Sequence, residues 1–219
     1  MAGIELYEAM RTLRAVRRLR PDPIPDEVLH RVLEAATWAP TGGNRQAWRV
    51  IVVKDPVRKQ RLGELYRKIA VPFTKSYAEK FASLPEVERM KAERMMRAGN
   101  YLAEHFGEAP VLLVFCFNPE GLAVTDAKLD RVSVVGGGSI YPAVENLLLA
   151  CRAEGLGCVL TTLLCMSEPE VRELLGIPQP WGTSAVVPIG YPLLRGHGPI
   201  SRRPVEELAF ADFWGTPFP

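Results

Sequence analysis

Seven consecutive apolar residues, Val111-Leu112-Leu113-Val114-Phe115-Cys116-Phe117, constrain the fold most tightly. A strand without polar alternation is buried on both faces, so the chain must lay other elements on each side of it. With 219 residues it has enough length for one sizeable core or two small domains. Hydrophobic content of 47% and charged content of 24% are those of an ordinary soluble globular protein. A net charge of +2 argues against a general nucleic-acid or membrane binder. No apolar run is long enough to span a bilayer. The opening Met1-Ala2-Gly3-Ile4-Glu5 lacks the basic head and apolar core of a secretory leader, and a cytoplasmic location is the expectation.

Around the central strand the patterning alternates helices with strands. Ile4, Leu6, Tyr7, Met10 and Leu13 give the apolar side of a short helix. A basic cluster from Arg11 to Arg20 follows, and Pro21-Asp22-Pro23-Ile24-Pro25 then forbids helix. Asp26 is the expected N-cap of a helix ending at Ala39-Pro40. The loop Thr41-Gly42-Gly43-Asn44-Arg45-Gln46 leads into a strand over 48–53, with Trp48 as its first core residue. Asp55-Pro56 predicts a helix through Tyr66. Residues 67–108, rich in Lys, Glu, Met and Ala, read as mobile outer helices that cover something. Residues 121–139 read as irregular. Beyond Pro142, apolar steps of three and four predict a helix buried nearly all round and stopped by Gly155. A strand over 159–164 carries Thr161-Thr162, and Ser167-Glu168-Pro169-Glu170 reads as a capping box for a helix to Leu175. Another apolar strand spans 184–191, and a short helix follows Pro204 at 205–208. The tail carries Phe210, Phe213, Trp214 and Phe218, which need a surface, either another subunit or the chain itself. The pattern is that of an α+β or α/β layer around one sheet.

The chemistry-bearing residues are sparse. Cys116, Cys151, Cys158 and Cys165 form no C-x-x-C pair and have no histidine at metal-ligand spacing, so no metal site is expected. Only His30, His105 and His197 are present, and no nucleophile sits in a recognisable turn. Gly136-Gly137-Gly138 lacks the lysine of a phosphate loop. Gly155-Leu156-Gly157 opens a strand rather than a helix, the reverse of a dinucleotide fingerprint. Three polar groups stand out: Arg14 with Arg17, the Thr41–Gln46 loop with the amides of Asn44 and Gln46, and Arg202-Arg203. Guanidinium forks suit phosphate oxygens, and amides suit a heterocycle edge that donates and accepts. Taken singly, the arginines fit a solvated basic face better. Together the groups suit an enzyme whose cofactor carries the chemistry.

Leu13-Arg14-Ala15-Val16-Arg17-Arg18-Leu19, Pro23-Ile24-Pro25, and the run from Ala39 to Trp48 resemble the nitroreductase family of FMN-dependent enzymes. The run from Gly155 to Thr162 and the closing Arg202-Arg203-Pro204-Val205-Glu206 follow in the family's order. The resemblance implies an α+β fold, with a mixed, mostly antiparallel sheet flanked by helices. It implies one FMN-binding domain over 1–219, with 67–108 as a variable helical lid and 209–219 as a C-terminal tail. It also implies a domain-exchanged homodimer with FMN at the interface. Arg14 corresponds to a phosphate contact and Arg17 to one at the flavin pyrimidine edge. Leu13 and Ala15 stand where the family often has arginine and serine, so backbone N–H groups at Ala15 or other side chains must fill in. Thr41 and Asn44 correspond to contacts with flavin or substrate, and Gly42 and Gly43 to the shape of the turn. Leu160-Thr161-Thr162 corresponds to a run along the ring of the partner's flavin, with Thr162, then Thr161, as donor to N5. Arg202, with Arg203 as the fallback, corresponds to a late phosphate contact. The implied reaction passes hydride from NADH or NADPH through flavin N5 to a small electron-poor acceptor, a nitroaromatic or quinone, without a protein nucleophile. A flavin-binding protein without turnover, a dehalogenase and a dehydrogenase are the alternatives.

Overall fold

The computed structural model describes residues 4–81 and 83–218. Met1–Gly3, Ala82 within the 67–108 region and Pro219 at the end of the tail lie outside them. Strands β1 (Trp48–Val53), β2 (Val111–Phe117), β3 (Gly157–Cys158) and β4 (Gly182–Gly190) form one sheet in the order β1-β2-β4-β3. Every neighbouring pair is antiparallel. Val50 pairs with Phe115 and Val114 with Val186, and a register shift falls between Phe115 and Cys116.

The seven apolar residues of β2 divide between two layers by strand alternation. Val111, Leu113 and Phe115 face helices α2 (Asp26–Thr37) and α5 (Tyr141–Ala153), packing with Leu29, Val32, Ala36, Val144 and Leu147. Leu112, Val114 and Cys116 face the opposite layer. That layer comprises α3 (Pro56–Phe81), α4 (Glu86–His105) and α6 (Glu168–Leu175), which contribute Leu62, Tyr66, Leu102 and Val171. Helix α1 (Leu6–Thr12) packs beside α5. Trp48 sits half-buried against the first layer, as expected.

Several local expectations are corrected. Helix α3 does not stop at Tyr66 but runs to Phe81 through Pro72. An interior proline removes one helical hydrogen bond, and packing along α4 carries the helix across it. No strand spans 159–164: β3 lies just before it, only one bridge between Thr161 and Val186 falls within it, and Leu163–Ser167 then coil into a 3-10 turn. Ser167 makes no capping bond; the Glu168 carboxylate instead accepts from Thr183 N and Oγ1. Pro25 takes the cap position of α2, and Asp26 pairs with Lys54. Helix α5 buries Ala143, Val144, Leu147 and Cys151 but leaves Leu148, Leu149 and Ala150 partly open. Of the tail aromatics only Phe210 is half-buried on its own chain; Phe213 is 78% and Trp214 92% exposed.

Candidate functional site

The segment after α1 leaves the helix in extended conformation and runs alongside β3. Val16 N donates to Cys158 O at 2.8 Å, and Arg20 N to Tyr191 O at 2.7 Å. Gly157 makes this approach possible, because a Cβ there would lie 2.7 Å from Val16 Cγ1. The buried Val16 is thereby anchored in the core, and the arginines flank it.

Arg14, Ala15, Arg17, Leu160 and Arg202 line one cleft of about 430 Å3. Glu145 is the only carboxylate in the same lining, and burial raises its pKa. Three guanidiniums against one weakened acid give an anion site suited to a phosphate monoester. Arg14 Nε donates to Gly196 O at 2.8 Å, which fixes its stem. Arg17 has no salt bridge among the described residues, and burial lowers its pKa while Tyr66 opposes the shift. Arg18 leaves the cleft and lies over the Tyr101 ring, 4.3 Å from its centroid.

A second cavity of about 270 Å3 opens between α3, α4 and the chain after β3. Arg17, Val159 and Leu160 line both spaces, so the basic cleft and this mostly apolar one are contiguous. Thr161 lines the second cavity only. It is 8% exposed, and its Oγ1 donates to Tyr66 Oη at 3.4 Å. Burial raises the Tyr66 pKa, while the Thr161 bond and Arg17 pull it back. Burial also holds the Cys116 thiol up at about 11 and raises that of Cys165, so neither is a thiolate nucleophile near neutrality.

The structure thus brings together Arg14, Ala15, Arg17, Leu160 and Arg202 and leaves other expected residues apart. Thr162 is exposed and lines neither space. Arg203 lies 4.0 Å from Glu207 and is also outside both. Thr41 and Asn44 occupy a separate loop that satisfies its own polar groups. Thr41 Oγ1 accepts from Gln46 N at 3.1 Å, and Asn44 Oδ1 accepts from Gln46 Nε2 at 3.1 Å. Asn44 (φ 53°) and Gln46 (φ 48°) both hold left-handed backbone. Asparagine tolerates this region, whereas glutamine at such a φ costs about 1–3 kcal/mol.

The Val16–Cys158 hydrogen bond ties the arginine segment and the segment of Leu160 into one wall within a single chain. Two contributors went unassigned in the sequence. Tyr66 read as the end of a helix, and nothing local signals that its hydroxyl meets Thr161. His197 sits between Gly196 and Gly198, a flanking pattern that marks a tightly turned, positioned side chain. Its Nδ1 accepts from Arg14 N at 3.4 Å and its Nε2 donates to Leu156 O at 2.8 Å.

Comparison with known proteins places this geometry in context. The sequence pattern of the nitroreductase family matches residues 10–191. Iodotyrosine deiodinase 1 of Rattus norvegicus is 30% identical over 193 residues, which cover 88% of this chain and 64% of the deiodinase. The chain therefore spans somewhat less than two thirds of that relative's length. An NADH dehydrogenase of Thermus thermophilus is 31% identical, with 89% of this chain and 90% of that protein covered. The crystal structure of oxidized iodotyrosine deiodinase bound to FMN and 3-iodo-L-tyrosine superimposes with a TM-score of 0.69. That match is at 24% identity and covers 91% of this chain and 96% of the other. A family pattern matched over most of the chain, together with a shared fold, establishes that this protein belongs to the nitroreductase family.

Proposed function

We propose that this protein is an FMN-dependent oxidoreductase that takes electrons from NADH or NADPH and passes them to a small electron-poor aromatic acceptor. The observation that carries the reading is the adjacency of two spaces in one chain: a cleft with three guanidiniums shares Arg17, Val159 and Leu160 with a cavity walled by aromatic side chains. A phosphate at one end and a flat ring system at the other is the shape of a flavin mononucleotide. The relatives fit this reading, since one solved neighbour holds FMN and one curated relative is an NADH dehydrogenase.

On this reading Arg14 and Arg202 hold the phosphate, with the Ala15 backbone beside them. Arg17 faces the ring end, and its partly desolvated charge favours a ring that has gained electrons. Leu160 supplies an apolar surface against the ring. FMN, when bound, supplies hydride acceptance and donation at one ring nitrogen. Thr162 remains the first candidate to hold that nitrogen by a hydrogen bond. Thr161 is the weaker one, because its hydroxyl is engaged with Tyr66. Helices α3 and α4 form the lid of the acceptor side and keep water from it with Phe73, Tyr77 and Met96.

The reading includes a homodimer. Leu6 (57% exposed), Trp38 (72%), Leu149 and Ala150 line an open groove between α1, α2 and α5, too apolar to be left to water. Thr41 and Asn44 reach a flavin site only if it belongs to the other chain, because they lie outside the cleft of their own.

Purified protein should be yellow, or become so with added FMN, and should bleach anaerobically with NADH or NADPH and recover on addition of menadione or a nitroaromatic. A colourless chain that takes up no FMN would end this reading. A yellow chain that neither nicotinamide bleaches would leave flavin binding without turnover.

A further inference from the structure

A chain of hydrogen bonds runs one way through the wall of the second cavity. It starts at the backbone N–H of Leu163, which opens the 3-10 turn after Thr162 and donates to Thr161 Oγ1 at 3.4 Å. The Thr161 hydroxyl gives its single proton to Tyr66 Oη, also at 3.4 Å. Tyr66 thereby takes a donor and still holds its own proton, and it makes no other hydrogen bond among the described residues. A hydroxyl that accepts becomes a better donor, so the last proton in the chain is the polarised one.

The fold fixes both hydroxyls in place. Thr161 is held by two backbone bonds to β4, Thr161 N to Val186 O at 3.0 Å and Val186 N to Thr161 O at 2.8 Å. The Tyr66 ring is stacked on Phe106, with centroids 4.0 Å and planes 16° apart. Packing on Phe106 asks for a ring, not for a hydroxyl. Both residues are buried, yet both line the cavity beside Arg17. Burial raises the Tyr66 pKa, which keeps the tyrosine protonated, and so a donor, at neutral pH. Arg17 and Tyr66 thus offer N–H and O–H donors at one end of a mostly apolar space.

Resting on the flavin reading above, we propose that Tyr66 is a further ligand-binding residue of this site. Its hydroxyl, polarised through Thr161 and the Leu163 N–H, donates alongside Arg17 to a carbonyl-type oxygen on a flat ring in the cavity. The bond is strongest when that oxygen gains negative charge as the ring is reduced. Such an oxygen is carried by a flavin and by an acceptor such as a quinone, and one donor can serve either. Thr161 is a positioning residue that acts through Tyr66.

The Y66F variant removes the hydroxyl and keeps the ring on Phe106. Two measurements on FMN-loaded protein find the oxygen. If it belongs to the flavin, Y66F lowers the midpoint potential in spectroelectrochemistry by about 30 mV, a tenfold loss of preference for the reduced ring. If it belongs to the acceptor, menadione binds about 10-fold less tightly to Y66F, followed by flavin absorbance. The control 2-methylnaphthalene, the same skeleton without the oxygens, is then unaffected. A change in either measurement supports the donor, and a change in neither overturns the proposal. In the measurement that responds, T161V should lose part of the same effect and T161S should keep the natural value. The T161V/Y66F pair should lose no more than Y66F alone, because both act through one chain. Additive losses would mean that Thr161 acts on the ring directly, and overturn it. If the natural chain takes up no FMN, the flavin reading is what fails. Menadione and 2-methylnaphthalene are then compared by the shift each gives in the melting temperature of the unloaded chain. A preference for menadione that Y66F erases supports the donor; no preference, or the same preference in both proteins, overturns it.

Discussion

The backbone N–H of Arg14 donates to Nδ1 of His197 across 3.4 Å, while Nε2 of the same ring donates to the Leu156 carbonyl at 2.8 Å. The ring thus clasps the arginine segment to the strand end next to the cleft, and it does so only when neutral, with its proton on Nε2. Burial foremost, then the charges of Arg152 and Arg14, hold the His197 pKa below its ordinary 6.5. Between that lowered value and 6.5 the unfolded chain binds more protons than the folded one. The stability contribution is fully present above pH 6.5, falls as pH drops through this window, and levels off below the folded value. Melting temperatures taken across the window should fall for the natural chain and fall less for H197N. Parallel curves would show that the clasp does not titrate.

The arginines are expected to separate by position rather than by charge. Arg14 and Arg202 line the cleft, whereas Arg203 lies beside Glu207 on the surface. A hydrogen bond to a charged group contributes about 1.5–3 kcal/mol. R14A and R202A should therefore each weaken FMN binding by roughly 10- to 100-fold. R203A should change it by less than about twofold. Quenching of FMN fluorescence on titration with each variant reads both outcomes, and an R203A loss equal to that of R14A would refute the assignment.

The open face of α5 gives a prediction on assembly. Leu149 and Ala150 share their groove with Leu6 and Trp38, and the chain has a mass of 24.3 kDa. Sedimentation should return twice that mass for the natural chain and the single-chain mass for L149D, because an unpaired carboxylate in an apolar contact is costly. FMN uptake should fall with dimerisation if Thr41 and Asn44 complete the site of the other chain. A dimer that survives L149D would place the contact elsewhere.

Close packing behind the acceptor cavity predicts a stability change. An added Cβ at Gly107 would stand 2.8 Å from Lys59 O, and one at Gly63 would stand 2.9 Å from Gly107 N. Both obstacles are backbone, and they lie beside the stacked rings of Tyr66 and Phe106, whose centroids are 4.0 Å apart. G107A should lose about 1–3 kcal/mol in urea unfolding, the usual range for overpacking. An unchanged midpoint would mean that α3 lifts freely from the turn after α4.

Local sequence determined the elements whose signals are local. The unbroken apolar run of β2 demanded a layer on each face, and its alternation supplied Leu113 to one and Val114 to the other. Gly176, at φ 66°, ends α6 where the pattern said it must. The arginine segment and the polar loop were legible as candidates from residue type, and Thr161 only through the resemblance to the nitroreductase family. Tertiary structure decided what no local signal carries. Pairing of Val16 with Cys158 set Arg14 and Arg17 on the same wall as Leu160. Packing against α4 carried α3 past Pro72, and the fold set the Tyr66 hydroxyl against Thr161, 95 residues away. The physical reason is the same in each case. A strand's burial and a helix's stop depend on residues a few positions apart, whereas the neighbours of a guanidinium or a hydroxyl depend on which distant backbones approach closely enough to hydrogen-bond.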